Sequence, residues 1–386
     1  MGDSPRLPPT LGRSVRPNLA IRSTLVTNDL NQPTPATQES SSSVLVPVDP
    51  TWIAVHSVHY QFLANQQVML EDDLRVGAYH DGIVGNRADF EGRTVMDVGA
   101  GTGLLSLFAA QAGARKVYAV EASGSADYAQ RLIDHAGLGD RIEVVRSTLQ
   151  ALELSEKVDV IISEPWGFFL LHERMVEAFI EARDRFLAPN GRVFPSAATM
   201  AIAPFSDAQL HESRVTKSRF WESKDFYGID LSGLAATARS ELFAMPALGP
   251  VNTNQLMAAP VFKVFDFLHM PMADLARVEL PFSFSMAHGG PIHGIVGWFD
   301  LAFVGSKHQV LLTTAPDAPN THWWQLRFVF PEPVMARIGQ TFSGRMVLTA
   351  NPESSYSVHL EGQVEGSGKP ISCDFQMQAH FWWSVD

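Results

Sequence analysis

Two glutamates, Glu164 and Glu173, stand nine residues apart in the segment Ser163-Glu164-Pro165-Trp166-Gly167-Phe168-Phe169-Leu170-Leu171-His172-Glu173-Arg174-Met175. The run ahead of them, Val158-Asp159-Val160-Ile161-Ile162, reads as a buried strand, which puts Glu164 at its C-terminal end. In open α/β sheets that end is the mouth where ligands bind. Two carboxylates looped back onto one site would grip a planar cation that carries donors on two sides. An arginine guanidinium answers that description.

A second constellation lies upstream. Val95-Met96-Asp97-Val98-Gly99-Ala100-Gly101-Thr102-Gly103 joins a predicted strand to a predicted helix. Gly99, Gly101 and Gly103 let the backbone approach a ligand closely, and the helix that follows offers free N–H groups at its start. Glu121 closes the next strand, Val117-Tyr118-Ala119-Val120-Glu121, where it is placed to accept both hydroxyls of a ribose. Nicotinamide dinucleotide enzymes use similar loops and a similar acid, so these features alone leave two cofactors open. Three points favour S-adenosylmethionine. The glycine spacing is G-x-G-x-G, Asp97 opens the loop, and a second glutamate has no use in hydride transfer. Loop and glutamate pair together point to methyl transfer onto arginine.

These residues need a scaffold, and the composition allows one. The chain has 386 residues, enough for two domains with cores of their own. Although 46% of it is hydrophobic, no apolar run approaches the roughly 20 residues that span a bilayer. No apolar stretch follows the first basic residues, so neither a secretory signal nor membrane association is expected. The single cysteine, Cys373, excludes an internal disulfide and a cysteine-built zinc site, and suits a reducing compartment. His56 and His59 lack a third ligand, so no metal is expected. A net charge of -12 argues against direct nucleic-acid binding and favours basic peptides as partners.

Residues 1–48 read as a disordered tail, because Pro, Ser, Thr, Asn and Gln dominate to about residue 45 and little apolar surface is available to offset ordering entropy. Leu63, Met69, Leu70 and Leu74 predict one helix over residues 61–79. From Thr94 to about Pro195 strands and helices alternate: strands at 95–98, 116–120, 142–145 and 158–162, a helix over 104–112. That rhythm implies a parallel sheet covered by helices. Beyond Phe194-Pro195 short period-two runs take over, at 278–284, 309–312, 324–330 and 344–348, and predict an antiparallel sandwich or barrel. One polar stretch, about 206–246, reads instead as an inserted helical arm.

At this point the sequence resembles the type I protein arginine N-methyltransferases, nearest their coactivator-associated branch, from about residue 52 to about 365. The residues that carry the resemblance are Val95 to Ser106, Ala109 to Ser123, the double-glutamate segment, Trp298-Phe299-Asp300 and Thr321-His322-Trp323. It implies a Rossmann-like S-adenosylmethionine-binding domain over 49–195 with an N-terminal helix. A β-barrel substrate domain over 196–386 would follow, with the arm serving dimerisation on a second copy. Glu164 and Glu173 would hold the substrate guanidinium, and His322 with Asp72 would form a proton-accepting dyad. Arg75 would meet the cofactor carboxylate. Tyr60, Gln66, Asp97, Gly99, Gly101, Gly103, Glu121 and Gln150 would complete the cofactor site. Met69 and Met175 would line both cofactor and acceptor pockets and leave room for asymmetric dimethylation, and Trp323 would contact substrate. The implied substrates are arginine-containing proteins, histones or Gly-Arg-rich chains among them, in the nucleus or cytoplasm.

The family's Tyr-Phe-x-x-Tyr lid aligns with His56-Ser57-Val58-His59-Tyr60, which keeps the last tyrosine alone, and Gln150 stands where a carboxylate is usual. Those departures support an alternative: a weakly active or silent paralogue that scaffolds or activates a partner. The retention of Glu164, Glu173, His322 and Arg75 opposes it. A small-molecule methyltransferase would leave the paired glutamates and the C-terminal domain without a use.

Overall fold

The structure is a computed structural model that describes residues 45–379 together with the backbone of 381–382; the side chains of His56 and Ser57 and nearly all of the expected tail lie outside the described residues. Three helices come first: α1 (Pro50–Tyr60), α2 (Leu63–Leu70) and α3 (Asp73–Val84). The single helix predicted over 61–79 is thus two, broken at Glu71 and Asp72. Asp72 starts the second one by accepting a hydrogen bond from the Arg75 backbone N–H at 3.0 Å. Asp49 caps α1 in the same way through Thr51.

After the short α4 (Arg87–Phe90), strands and helices alternate as β1 (Thr94–Val98), α5 (Leu104–Gln111), β2 (Lys116–Glu121), α6 (Ala126–His135), β3 (Ile142–Arg146), β4 (Val158–Ser163), α7 (Val176–Phe186) and β5 (Leu187–Phe194). The five strands form one sheet in the order β3-β2-β1-β4-β5, parallel throughout. All of β1 is buried and β4 nearly so, as expected of strands covered on both faces. Chain order reverses between β1 and β4, the position at which such sheets open a crevice. There Val98 pairs with Ser163, so Gly99 and Glu164 leave the sheet side by side.

The rest of the chain is mostly antiparallel. It runs β6 (Ala197–Phe205), α8 (Ala208–Arg219), α9 (Ala235–Ala244), β7 (Ala247–Gly249), β8 (Val261–Asp266), β9 (Arg277–Ser285), β10 (Gly290–Val304), β11 (Gln309–Thr313), β12 (Gln325–Ala336), β13 (Thr341–Asn351), β14 (Ser355–Val364), β15 (Ile371–Gln376) and β16 (Phe381–Trp382). A seven-stranded sheet follows the order β16-β7-β12-β10-β6-β8 with β11 on β10, and a four-stranded one the order β15-β14-β13-β9. β9 alternates buried and open residues along its length, the period-two pattern of its sequence. The two sheets meet through Phe328 against Phe375 and Phe330 against Phe342, with ring centroids 5.3 Å and 6.5 Å apart. The expected antiparallel domain therefore takes the form of two sheets in ring contact. The stretch predicted as a helical arm holds α8, α9 and two short 3-10 turns. One hydrophobic core runs through both parts of the molecule. Among the described residues no helix is long and apolar enough to cross a membrane.

Candidate active site

The loop after β1 turns through left-handed backbone at Gly99, Gly101 and Gly103, with φ of 72°, 56° and 81°. Only glycine adopts those angles without strain. The Gly101 N–H donates to Glu121 Oε2 at 2.8 Å and the Ser123 N–H to Oε1 at 2.7 Å. Each oxygen of Glu121 keeps a lone pair for a further donor. Asp97 is buried beneath the loop, where Ser106 Oγ donates to its Oδ2 at 2.7 Å and Oδ1 has no hydrogen-bond partner among the described residues. Burial pushes its carboxyl up to about 7; the Ser106 bonds oppose the rise and Glu121 adds to it. Gln66 stands over the loop, its Oε1 3.1 Å from where a Cβ on Gly101 would lie. Its Nε2 donates to the Tyr60 carbonyl at 2.7 Å. The Met175 methyl lies 3.8 Å from the corresponding point on Gly99. Gln150 is exposed and donates to Glu181 at 3.1 Å; among the described residues no hydrogen bond joins it to the loop.

Both glutamates lie in this crevice, each held by a donor from the N-terminal helices. Arg75, on α3, places Nη2 2.9 Å from Glu164 Oε2 and donates from Nη1 to the Met69 carbonyl at 2.8 Å. Burial works against charge on Arg75, yet the Glu164 carboxylate outweighs it and raises the guanidinium above its ordinary range. The arginine that the resemblance assigns to a cofactor carboxylate is thus paired with Glu164 here. Glu164 Oε1 and Arg75 Nε are buried and have no hydrogen-bond partner among the described residues. Tyr60, the last residue of α1, donates its hydroxyl to Glu173 Oε2 at 2.8 Å. Burial pushes Glu173 up to about 7, and the nearby Glu164 charge reinforces the shift against the Tyr60 bond.

The segment between the glutamates is strained. Phe169, Leu170, Glu173 and Arg174 have φ of 48°, 67°, 73° and 54°, and such residues cost on the order of 1–3 kcal/mol each. A Cβ on Gly167 would lie 2.0 Å from the His172 carbonyl oxygen, so only glycine closes the hairpin there. Neighbours hold this shape. Trp323 donates from Nε1 to the Trp166 carbonyl at 2.8 Å, Trp166 Nε1 donates to the Tyr79 hydroxyl at 2.7 Å, and that hydroxyl donates to the Ser163 carbonyl at 2.9 Å. Trp323, expected to touch substrate, is 2% exposed and supports the hairpin with its indole N–H.

His322 sits 2.7 Å from Asp72 Oδ2 through Nδ1, and its backbone N–H reaches the same oxygen at 2.9 Å. Burial alone would raise the Asp72 carboxyl; the bonds from His322 and from the Arg75 N–H outweigh it and hold Asp72 below the usual carboxylate range. The structure thus brings together Tyr60, Gln66, Met69, Asp72, Arg75, Glu164, Glu173 and His322 with the glycine loop. Sequence reasoning gave no role to Tyr79, which carries no motif, or to Trp166, which lies within the double-glutamate segment without a chemistry of its own there. Among the described residues no group of three or more His, Cys, Asp or Glu could hold a metal ion.

The crevice suits a nucleoside cofactor. Gly99, Gly101 and Gly103 bring no side chains to the turn, Glu121 has acceptor capacity in reserve, and among the described residues buried Asp97 Oδ1 and Glu164 Oε1 have no hydrogen-bond partner. A parallel sheet carrying that loop at its crevice, with two carboxylates beside it and an antiparallel domain following, is the architecture of a methyltransferase. The family description "Methyltransferase domain" matches residues 95–191, and "Arginine methyltransferase oligomerization subdomain" matches 196–366. A protein of Oryza sativa subsp. indica named "Probable histone-arginine methyltransferase CARM1" is 45% identical over 303 residues, 78% of this chain and 57% of its own length. The chain therefore spans little more than half of that relative. Protein arginine methyltransferase 10 of Arabidopsis thaliana superposes with a TM-score of 0.75 at 32% identity, over 83% of this chain and 99% of the other. A Trypanosoma brucei PRMT1 enzyme-prozyme complex with AdoHcy superposes with a TM-score of 0.75 at 30% identity, over 82% and 99% of the two chains. The chain belongs to the protein arginine methyltransferase family.

Proposed function

We propose that this chain transfers methyl groups from S-adenosylmethionine to a guanidino nitrogen of arginine in proteins, and that it forms mono- and asymmetric dimethylarginine. The observation that carries the proposal is the Arg75 guanidinium seated on Glu164 at 2.9 Å, with Glu173 beside it on the same wall. The site's own contacts support its affinity for that cation. Residues 49–195 are assigned to cofactor binding and 196–386 to substrate binding.

The Gly99–Gly103 loop, Glu121, Asp97, Gln66 and Arg75 would hold S-adenosylmethionine, which would supply an electrophilic methyl on a sulfonium. Glu164 and Glu173 orient the substrate guanidinium and draw its positive charge toward the nitrogens they touch. The remaining nitrogen keeps lone-pair density for the new N–C bond, which would form as the sulfonium S–CH3 bond breaks and the thioether leaves with its electron pair, so positioning and electrostatics carry the acceleration. His322, held by Asp72, accepts the proton that this nitrogen sheds. Met69 and Met175, which the family resemblance assigns to the acceptor pocket, are proposed to leave room there for a second methyl on the same nitrogen.

We further assign the chain to a homodimer. The arm bares Phe220, Tyr227, Ile229 and Leu234, with Tyr227 92% exposed, while α1 and α2 bare Val55, Val58, Leu63 and Val68, each at least half exposed. Two such apolar faces on one chain support docking between copies. Histones and other arginine-rich proteins of the nucleus or cytoplasm are the proposed substrates. Mass spectrometry of a histone H3 or Gly-Arg-rich peptide incubated with S-adenosylmethionine tests the activity. Gain of two methyl masses with fragments of asymmetric dimethylarginine is expected, and an unmodified peptide set would overturn the assignment.

A further inference from the structure

The strained segment that carries Glu173 is fastened from a distant part of the chain. The turn between β13 and β14 approaches it, and four buried polar groups join the two. Ser354 Oγ donates to the Glu173 carbonyl at 2.8 Å. His172 Nδ1 lies 2.8 Å from Ser355 Oγ. Arg174 donates to the Asn351 carbonyl at 2.6 Å from Nη1 and to the Val46 carbonyl at 2.6 Å from Nη2. Exposure is 3% at Ser354, 0% at Ser355, 9% at His172 and 4% at Arg174, so water competes poorly for these bonds.

The Ser354 bond has a particular consequence. It falls on the peptide carbonyl of the residue whose side chain faces Tyr60 and Glu164, and that residue stands at φ 73°, a conformation the chain leaves unless something holds it. Ser354 is itself at φ 55°, so the turn adopts left-handed backbone in order to present its hydroxyl. We propose that Ser354 is a positioning residue for Glu173: through the β13–β14 turn, the antiparallel domain sets the direction of one arm of the acceptor clamp. The proposal rests on the arginine-methylating reading above for its kinetic consequence, and on geometry alone for the lock.

Two variants of the full chain separate positioning from general stability. Ser354→Gly removes the hydroxyl and relaxes the left-handed backbone of the turn, so the fold keeps its stability. Ser354→Asn tolerates left-handed backbone and restores a side-chain donor. With a Gly-Arg-rich peptide, S354G is expected to lower acceptor kcat/KM roughly tenfold or more, since small misplacements of positioned groups are costly. S-adenosylmethionine affinity and Tm should stay close to those of the parent chain. Glu173, freed toward solvent, loses the burial that raises its carboxyl, so the acid limb of kcat/KM moves to lower pH. S354N should recover most of the loss and the original limb. Hydrogen exchange over residues 167–175 gives a second measure that needs no turnover: S354G should speed exchange there and S354N should not. If S354G matches the parent chain in exchange, the lock is overturned. The same holds if kcat/KM, cofactor affinity and Tm fall together without rescue. A parent chain without methylation would overturn the activity reading, and the exchange measurement would then decide the lock by itself.

Discussion

Replacing Glu173 by glutamine should abolish most turnover and at the same time stabilise the protein above neutral pH. Burial first, and the Glu164 charge next, raise the Glu173 carboxyl from an ordinary value of 4.5 to about 7. Between those pH values the folded chain binds a proton that the unfolded chain has already released. Stability from this group is complete below about 4.5 and is lost as pH rises through about 7. That interval corresponds to an upper figure of about 3 kcal/mol. Glutamine cannot ionise, and its amide oxygen can still accept the Tyr60 hydroxyl. Thermal unfolding of both proteins from pH 4.5 to 8 should therefore give a Tm difference near zero at the acid end. The difference should grow through neutrality and level off, in favour of the variant. Asp97 and Asp300, raised to about 7 and about 6, titrate in both proteins and cancel in the difference. In the same preparations acceptor kcat/KM should fall roughly 10²-fold or more, as when one member of a buried charge pair is removed. A Tm difference independent of pH, or near-parental turnover, would refute the reasoning.

Other perturbations address other parts of the site. Asp72→Asn retains a good helix cap while removing the charge beside His322; Tm should hold, and kcat should drop about 10²-fold with a flattened pH profile. Equal losses in Tm and kcat would assign Asp72 to capping alone. Gly101→Ala forces a side chain into left-handed backbone and sets its Cβ 3.1 Å from Gln66 Oε1, which should weaken S-adenosylmethionine binding roughly tenfold by calorimetry; unchanged affinity would place the cofactor elsewhere. Deleting residues 206–246 should give a monomer by light scattering with poor activity, and a fully active monomer would remove the arm from the assembly.

Much of this fold was legible because its signals are local. β1, β2 and β4 lie within a residue or two of their apolar runs, and Gly99, Gly101 and Gly103 take the backbone angles that explain their presence. The break between α2 and α3 was not foreseen. Helical periodicity continues across it, and Asp72 had been given a chemical role that hid its capping one. The Arg75–Glu164 pair also escaped, since both residues carried roles toward ligands and nothing in their spacing of 89 residues joins them. The left-handed turns at Phe169 and Leu170 have no glycine to announce them. What holds them comes from Tyr79, Trp323 and the 351–355 turn, contacts made by tertiary packing that no short window of sequence contains.

The order of the chain adds one more consequence. Tyr60, Gln66, Met69 and Arg75 belong to the three N-terminal helices and Asp72 to the break between two of them, outside all three sheets, and α1 and α2 are open to solvent along much of their length. Such a segment opens at a lower free energy than the sheets it covers. A protease acting on the native protein should therefore find residues 61–72 first, and a single cut there would leave a particle that still unfolds cooperatively while the proposed sites lose the residues that these helices bring to them. Retained fold and lost binding would then be separable by one peptide bond.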